Sequence, residues 1–183
     1  MDPLSLVKHI DVQGPAPVHL WDPPFCGEMD MRIARDGTWF HQGAPIRRQS
    51  MVKLFASILR LDPDDCYYLV TPVEKVRITV DDCPFVATLL EARGSGREQE
   101  LQFTTNIEET VVAGEAHQIR VTEDVETAEP HPVVHIRSGL NALINRNVFY
   151  RLVDLAETRD ESSRTISGVW SGGQFFALGS FET

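Results

Sequence analysis

Two runs early in this chain carry the helical spacing of apolar residues, and most of the chain beyond them alternates as strands do. The first, PLSLVKHI (residues 3–10), is short and amphipathic and predicts a helix. QGPAPVHLWDPPFCG comes next, rich in Pro and Gly, and reads as extended loop. In MDMRIARDGTWFHQGAPI (residues 29–46), Asp36-Gly37 sits between two β-like runs, a hairpin signal. RRQSMVKLFASILRL (residues 47–61) then places Met51, Leu54, Phe55 and Ile58 on one helical face, and DPDD ends that helix.

From Cys66 onward the pattern is β. CYYLVTP, KVRITV, PFVATLLEAR, REQELQFTT, HQIRVT and PVVHIR are strand candidates, separated by turn residues and one acidic loop, EDVETAEP. NRNVFYRLVDLAE (residues 145–157) returns to helical spacing through Phe149, Leu152 and Leu155. RTISGVWSGGQFFALGS reads as a hairpin around Ser171-Gly172-Gly173. The class is α+β with mainly antiparallel sheets, arranged as an N-terminal α+β domain over residues 1–81 and a C-terminal one over 82–183.

The two longer helices echo each other. Ile46-Arg47-Arg48-Gln49 aligns with Ile144-Asn145-Arg146-Asn147, and the same offset of 98 positions matches Met51 to Phe149, Lys53 to Arg151 and Leu54 to Leu152. Periodicity alone matches apolar positions. Agreement at the polar ones, with β-like runs after both helices, predicts a duplicated helix-plus-strands motif.

Charge narrows the partners. The formal net charge is −10, from 27 acidic and 17 basic residues. Such a chain repels duplex nucleic acid and anionic membrane over most of its surface, while a local basic pocket can still take a small anion. No apolar run has the length of a membrane span, and the first residues lack the basic-then-apolar order of a signal peptide. Cys26, Cys66 and Cys83 stand apart, an odd count that fits a reducing cytoplasm.

Basic residues at helix starts are the most unusual chemistry. Arg48 and Arg146 occupy the end of a helix that prefers acidic groups. Two explanations compete: an intramolecular pair with an acidic residue, or a bound anion facing the guanidinium and the free backbone N–H groups together. Lys75, one of three lysines beside fourteen arginines, is either a ligand contact or an ordinary hairpin residue. Asp81-Asp82-Cys83 precedes Pro84, which suits a turn better than a cation site, and an acidic neighbour raises a thiol pKa. His131 and His135 fall on a predicted strand, too far apart to chelate one metal readily, so no metal is expected. No phosphate-loop, dinucleotide-fold or nucleophile-elbow pattern is present, and no cofactor is expected. Trp39, Phe40, Tyr67, Tyr68 and Trp170 read as sheet core, with stacking on a planar ligand as the alternative.

The stretches CGEMDMRIARDGTWFHQGAPIRRQSMVKLFASIL and YYLVTPVEKVRITVDDCPF resemble a bacterial family of uncharacterised proteins, domain-of-unknown-function family 1285. The specific parts are D-G-x-W at Asp36 to Trp39, P-I-x-R at Pro45 to Arg48, Y-L-V-T-P-x-E-K at Tyr68 to Lys75, and D-D-x-P-F just after. The resemblance implies an α+β core built by duplication, a C-terminal half loosely like a pleckstrin-homology domain, and a ligand site at the domain interface. It also implies a nucleotide-like ligand and a signalling role.

The sequence thus leads to a cytoplasmic ligand-binding or signalling module without catalysis, taking a small anionic, nucleotide-like ligand. Arg48, Arg146 and Lys75 would meet the anion, Trp39 would stack, and Thr71 and Gln49 would add hydrogen bonds. Two alternatives stand beside it. One is an enzyme drawing acid–base groups from Asp81, Asp82, Glu74 or His41. The other is a protein-interaction module using an exposed sheet edge.

Overall fold

The structure is a computed structural model that describes residues 3–7, 14–125, 127–161 and 164–182. It divides into two compact units, Met1–Pro84 and Phe85–Thr183. Among the described residues, no helix is long and apolar enough to cross a membrane.

The N-terminal unit begins with α1 (Pro3–Val7); the rest of the helix expected over residues 3–10 lies outside the described residues. Strand β1 (Phe25–Ile33) buries Met29, Met31 and Ile33 and exposes Glu28, Asp30 and Arg32, the alternation of a sheet with one covered face. The expected hairpin comes next. Ala34 N–H donates to Thr38 O at 2.9 Å, and Asp36 Oδ1 accepts from Thr38 N–H at 2.9 Å. Gly37 adopts φ 86°, which side-chain-bearing residues rarely enter. Strands β2 (Trp39–His41) and β3 (Ala44–Pro45) complete a three-strand meander.

Helix α2 (Gln49–Ser57) buries Val52, Phe55 and Ala56, and Phe55 stacks on Trp39 of β2 with ring centroids 6.2 Å apart. The helical spacing predicted a longer element, yet the helix stops at Ser57 and Leu59–Leu61 becomes β4. Leu59 pairs with Leu69 and is fully buried, and Ile58 O accepts from Val70 N–H at 2.9 Å. Sheet pairing that buries Leu59 outweighs another helical turn. Strands β5 (Tyr67–Val70) and β6 (Lys75–Val80) finish a second meander. The sheet order is β3-β2-β1-β6-β5-β4, joined at its centre by the parallel pair β1/β6.

The C-terminal unit repeats this sheet topology with different strands. Its first meander is β7 (Phe85–Arg93), β8 (Glu100–Thr105) and β9 (Thr110–Val112). Its second is β10 (Ile119–Glu123), β11 (Pro130–Arg137) and β12 (Leu140–Ile144). The order is β10-β11-β12-β7-β8-β9, again with a central parallel pair, β12/β7. Helix α3 (Arg146–Asp154) buries Val148 and Leu152. After it come β13 (Glu157–Glu161), β14 (Arg164–Ser171) and β15 (Gln174–Glu182), which form a separate antiparallel sheet. The β14–β15 turn is Gly172-Gly173, both at positive φ as a two-residue hairpin requires.

A meander, a helix and a second meander therefore succeed one another twice: β1–β3, α2, β4–β6, and β10–β12, α3, β13–β15. In the first, β6 is hydrogen-bonded to β1. In the second, β15 lies against β10 but belongs to its own sheet, and β12 pairs with β7 instead.

Candidate functional site

Arg48 is the N-cap residue of α2, with φ −79° and ψ 107°, and its side chain makes no capping hydrogen bond. A guanidinium has no acceptor atom, so it cannot cap. The N–H groups of Met51 and Val52 turn back to Arg48 O at 3.0 and 3.2 Å. The first turn of α2 holds no acidic residue. Arg47, Arg48 and Gln49 are all exposed, and neither arginine makes an ion pair among the described residues. Helix α3 solves the same problem differently. Asn145 caps it, its Oδ1 accepting from Val148 N–H at 2.9 Å, and Arg146 moves to the first helical position, exposed over the Tyr150 ring at 5.9 Å.

The other expected contacts are occupied within the N-terminal unit. Lys75 Nζ donates to Asp62 Oδ2 at 2.8 Å and lies over the Tyr68 ring at 4.5 Å. Trp39 is 1% exposed and leaves no ring face for a ligand; its indole N–H has no acceptor. Thr71 is buried, and its hydroxyl serves the β5–β6 turn, accepting from Glu74 N–H at 3.1 Å and donating to Glu74 O at 3.3 Å. The rings and hydroxyl that a ligand would need are thus packed where the hairpin and core need them.

The named residues of this unit also do not converge. Arg48 leaves edge strand β3, which is three strands from β6 and Lys75 in the sheet order, about 14 Å at the usual strand spacing. Along the strands the separation grows further. Pro45 is level, through Phe40 and Arg32, with Thr79, whereas Lys75 begins β6. Arg48 and Gln49 stand at the start of α2; Thr71 and Lys75 lie near its other end, where Ile58 meets Val70. Two shallow depressions of about 260 and 230 Å³ occupy the sheet of this unit. Glu28, Tyr67 and Arg77 line one, Arg32, Phe40 and Gly43 the other, and none of the expected contacts lines either.

A dense polar cluster in the N-terminal unit is one that sequence reasoning misses. Asp62 takes a two-pronged contact from Arg60, through Nε and through Nη2 at 3.2 Å, together with the Lys75 ammonium. Arg60 Nη1 also donates to Val18 O at 2.9 Å and Trp21 O at 2.8 Å. Tyr68 donates to Asp64 Oδ2 at 2.7 Å, and Phe25 meets Tyr68 edge to face. Burial works to raise the Asp62 pKa, but the hydrogen bonds from Arg60 and Lys75 outweigh it and hold it below the ordinary value. Donation to Asp64 pushes the Tyr68 phenol up to about 12. The signal in the sequence is the acidic run DPDD, whose carboxylates gather partners as well as stopping a helix.

Two of the four acid–base candidates, Asp81 and Asp82, are held in ion pairs. Asp81 pairs with Arg32, and Asp82 with Arg35 at 3.2 Å. Burial and the neighbouring Asp82 carboxylate push the Cys83 thiol up to about 12. His135 is held at both ring nitrogens, near Ala116 O at 2.8 Å and accepting from Gly139 N–H at 3.2 Å. That pattern requires the proton on Nδ1 and uses the Nε2 lone pair that a metal would need.

The comparisons agree with one another. Residues 16–83 match the family model for the N-terminal domain of DUF1285, a domain of unknown function, and residues 84–178 match that for its C-terminal domain. A crystal structure of a DUF1285 family protein from Silicibacter pomeroyi DSS-3 is 56% identical, covers 97% of this chain and 94% of its own, and superposes with a TM-score of 0.89. One from Shewanella baltica OS155 is 28% identical, covers 69% of this chain and 91% of its own, with a TM-score of 0.54. No curated protein matches the chain. With both domain models matched in order along nearly its whole length, the chain belongs to the DUF1285 family, whose function is unknown.

Proposed function

We infer that this protein is a non-catalytic binding module for a small phosphate-bearing anion of the nucleotide class, acting in signalling, with the anion held at the start of α2. The observation that carries this reading is the pair Arg47 and Arg48. Both are exposed at an uncapped helix N-terminus, and neither makes an ion pair among the described residues of a chain with 27 acidic residues. A phosphate there would accept from the guanidinium edges and sit in the positive end of the helix field.

The ionisable groups favour binding over catalysis. Asp36, Asp62 and Asp64 are shifted down, while Tyr68 and Cys83 are shifted up. Each shift holds its group in the state it already has at neutral pH, so none of these five is poised for proton transfer.

The recurring meander–helix–meander order supports a duplication in which Arg48 holds the helix-start position that Asn145 holds in the second copy, with Arg146 one position later. In the second copy Asn145 closes the helix start, so the anion site belongs to the first. A pleckstrin-homology-like C-terminal half, which the family resemblance implies, would by itself bring no ligand with it. Mass spectrometry of small molecules retained by the purified protein tests this function directly. A nucleotide-like phosphate compound is expected, and it should be lost from the Arg48→Ala variant. Retention of the same compound by that variant would remove the assignment.

A further inference from the structure

The sheet β13–β15 carries a cluster that the α2 site does not use. Arg159 of β13 places its guanidinium carbon 4.7 Å from the Trp170 ring centroid and 4.7 Å from that of Phe175. The two rings meet near edge to face, with centroids 5.3 Å apart. Arg97, in the turn before β8, stacks on the same indole at 5.0 Å. The two guanidinium carbons are therefore at most about 9.7 Å apart, the sum of their distances to one centroid.

Neither arginine makes an ion pair among the described residues, although Glu98 adjoins Arg97 and Glu157 shares the Arg159 face of β13 by alternation. Two like charges that repel each other are held on one ring instead of on available carboxylates.

The scaffold beneath them is rigid. Buried Gln99 donates from Nε2 to Trp170 O at 2.8 Å, and Gly172 N–H donates to Gln99 O at 3.0 Å. Ser171, fully buried, accepts from Leu101 N–H at 2.9 Å and donates to Ala113 O at 2.7 Å. These bonds fix the Arg97 turn against β14. Gly168 makes room for the second ring: a Cβ there would lie 2.4 Å from Phe176 O and 2.7 Å from Phe175 Cζ.

We propose that Arg97 and Arg159, preorganised on Trp170, form a second binding site for a soluble phosphate-bearing ligand. Stacking covers a guanidinium face and leaves its in-plane N–H groups free for phosphate oxygens. Fixing both side chains in advance removes much of the ordering cost of binding. A net charge of −10 favours a soluble anion over an anionic membrane as the source.

Titration calorimetry with pyrophosphate and with inorganic phosphate at low ionic strength tests the site. Saturable binding of pyrophosphate is expected. Arg97→Gln and Arg159→Gln should each weaken it by about tenfold or more, the usual loss for one charge-assisted contact. Both positions are exposed, so circular dichroism should be unchanged. A component that survives Arg48→Ala separates this site from the one on α2. Absence of saturable heat with either anion, or binding that neither Gln variant weakens, would overturn the proposal.

Discussion

The Lys75 ammonium lies 2.8 Å from Asp62 Oδ2, with the two side chains only 20% and 11% exposed. The residue that sequence alone offers to a ligand is held instead by an acid thirteen positions upstream. Lys75→Met should therefore destabilise the N-terminal unit by roughly 1–3 kcal/mol, because Asp62 keeps Arg60 but loses one charge-assisted bond. Urea unfolding measures it.

The same cluster predicts an acid limit. The folded-state pKa of Asp62 lies below its ordinary 3.8. The group binds fewer protons folded than unfolded, so its contribution is full above the unfolded value and fades as pH falls through the folded one. Unfolding free energies between about pH 2 and 6 should show this loss, and Asp62→Asn should remove that part of the slope.

Cysteine reactivity should divide by burial. Cys83 is buried with its thiol near 12, whereas Cys26 is exposed. At about pH 8 only a minute fraction of Cys83 is thiolate. Alkylation with subsequent peptide mass spectrometry should modify Cys26 quickly and Cys83 only after unfolding.

Capping should respond with opposite signs in the two helices. Asn145→Ala removes the acceptor for Val148 N–H and should cost about 1 kcal/mol. Arg48→Asp places an acceptor and a negative charge at a helix start that has neither, and should stabilise by several tenths of a kcal/mol or more. Thermal melts of the two variants give the comparison.

Gly168→Ala should destabilise the β13–β15 sheet by roughly 1–3 kcal/mol, since one of its clashes is with backbone that cannot turn aside. Loss of near-ultraviolet ellipticity from the Trp170–Phe175 pair would accompany it.

Elements with a strong local signal are legible in the sequence. Asp36-Gly37 and Gly172-Gly173 turn where their residue types demand positive φ nearby, and the helical spacing of Phe149, Leu152 and Leu155 marks α3, though the residues it buries are Val148 and Leu152. Leu59–Leu61 is not legible as a strand, because its pairing with β5 depends on residues beyond the local window. Strands β9 and β13 are short or highly charged and carry little alternation of their own. At the candidate site the sequence locates Arg48 at its helix start. It offers both core packing and ligand stacking for Trp39, of which the structure shows the core, and it gives no sign that Asp62 gathers Arg60 and Lys75, because those contacts form only when strands and loops meet.

Thermal melts of Arg48→Ala, with and without phosphate and nucleotides, decide whether the start of α2 holds an anion. An exposed arginine at a helix N-terminus contributes unfavourably by only a few tenths of a kcal/mol. The variant should therefore melt at or slightly above wild type in plain buffer, while the anion-dependent rise in Tm expected for wild type is lost. A variant that melts far below wild type, with no anion stabilising the wild-type protein, would make Arg48 a structural tie and rule out an anion site at α2.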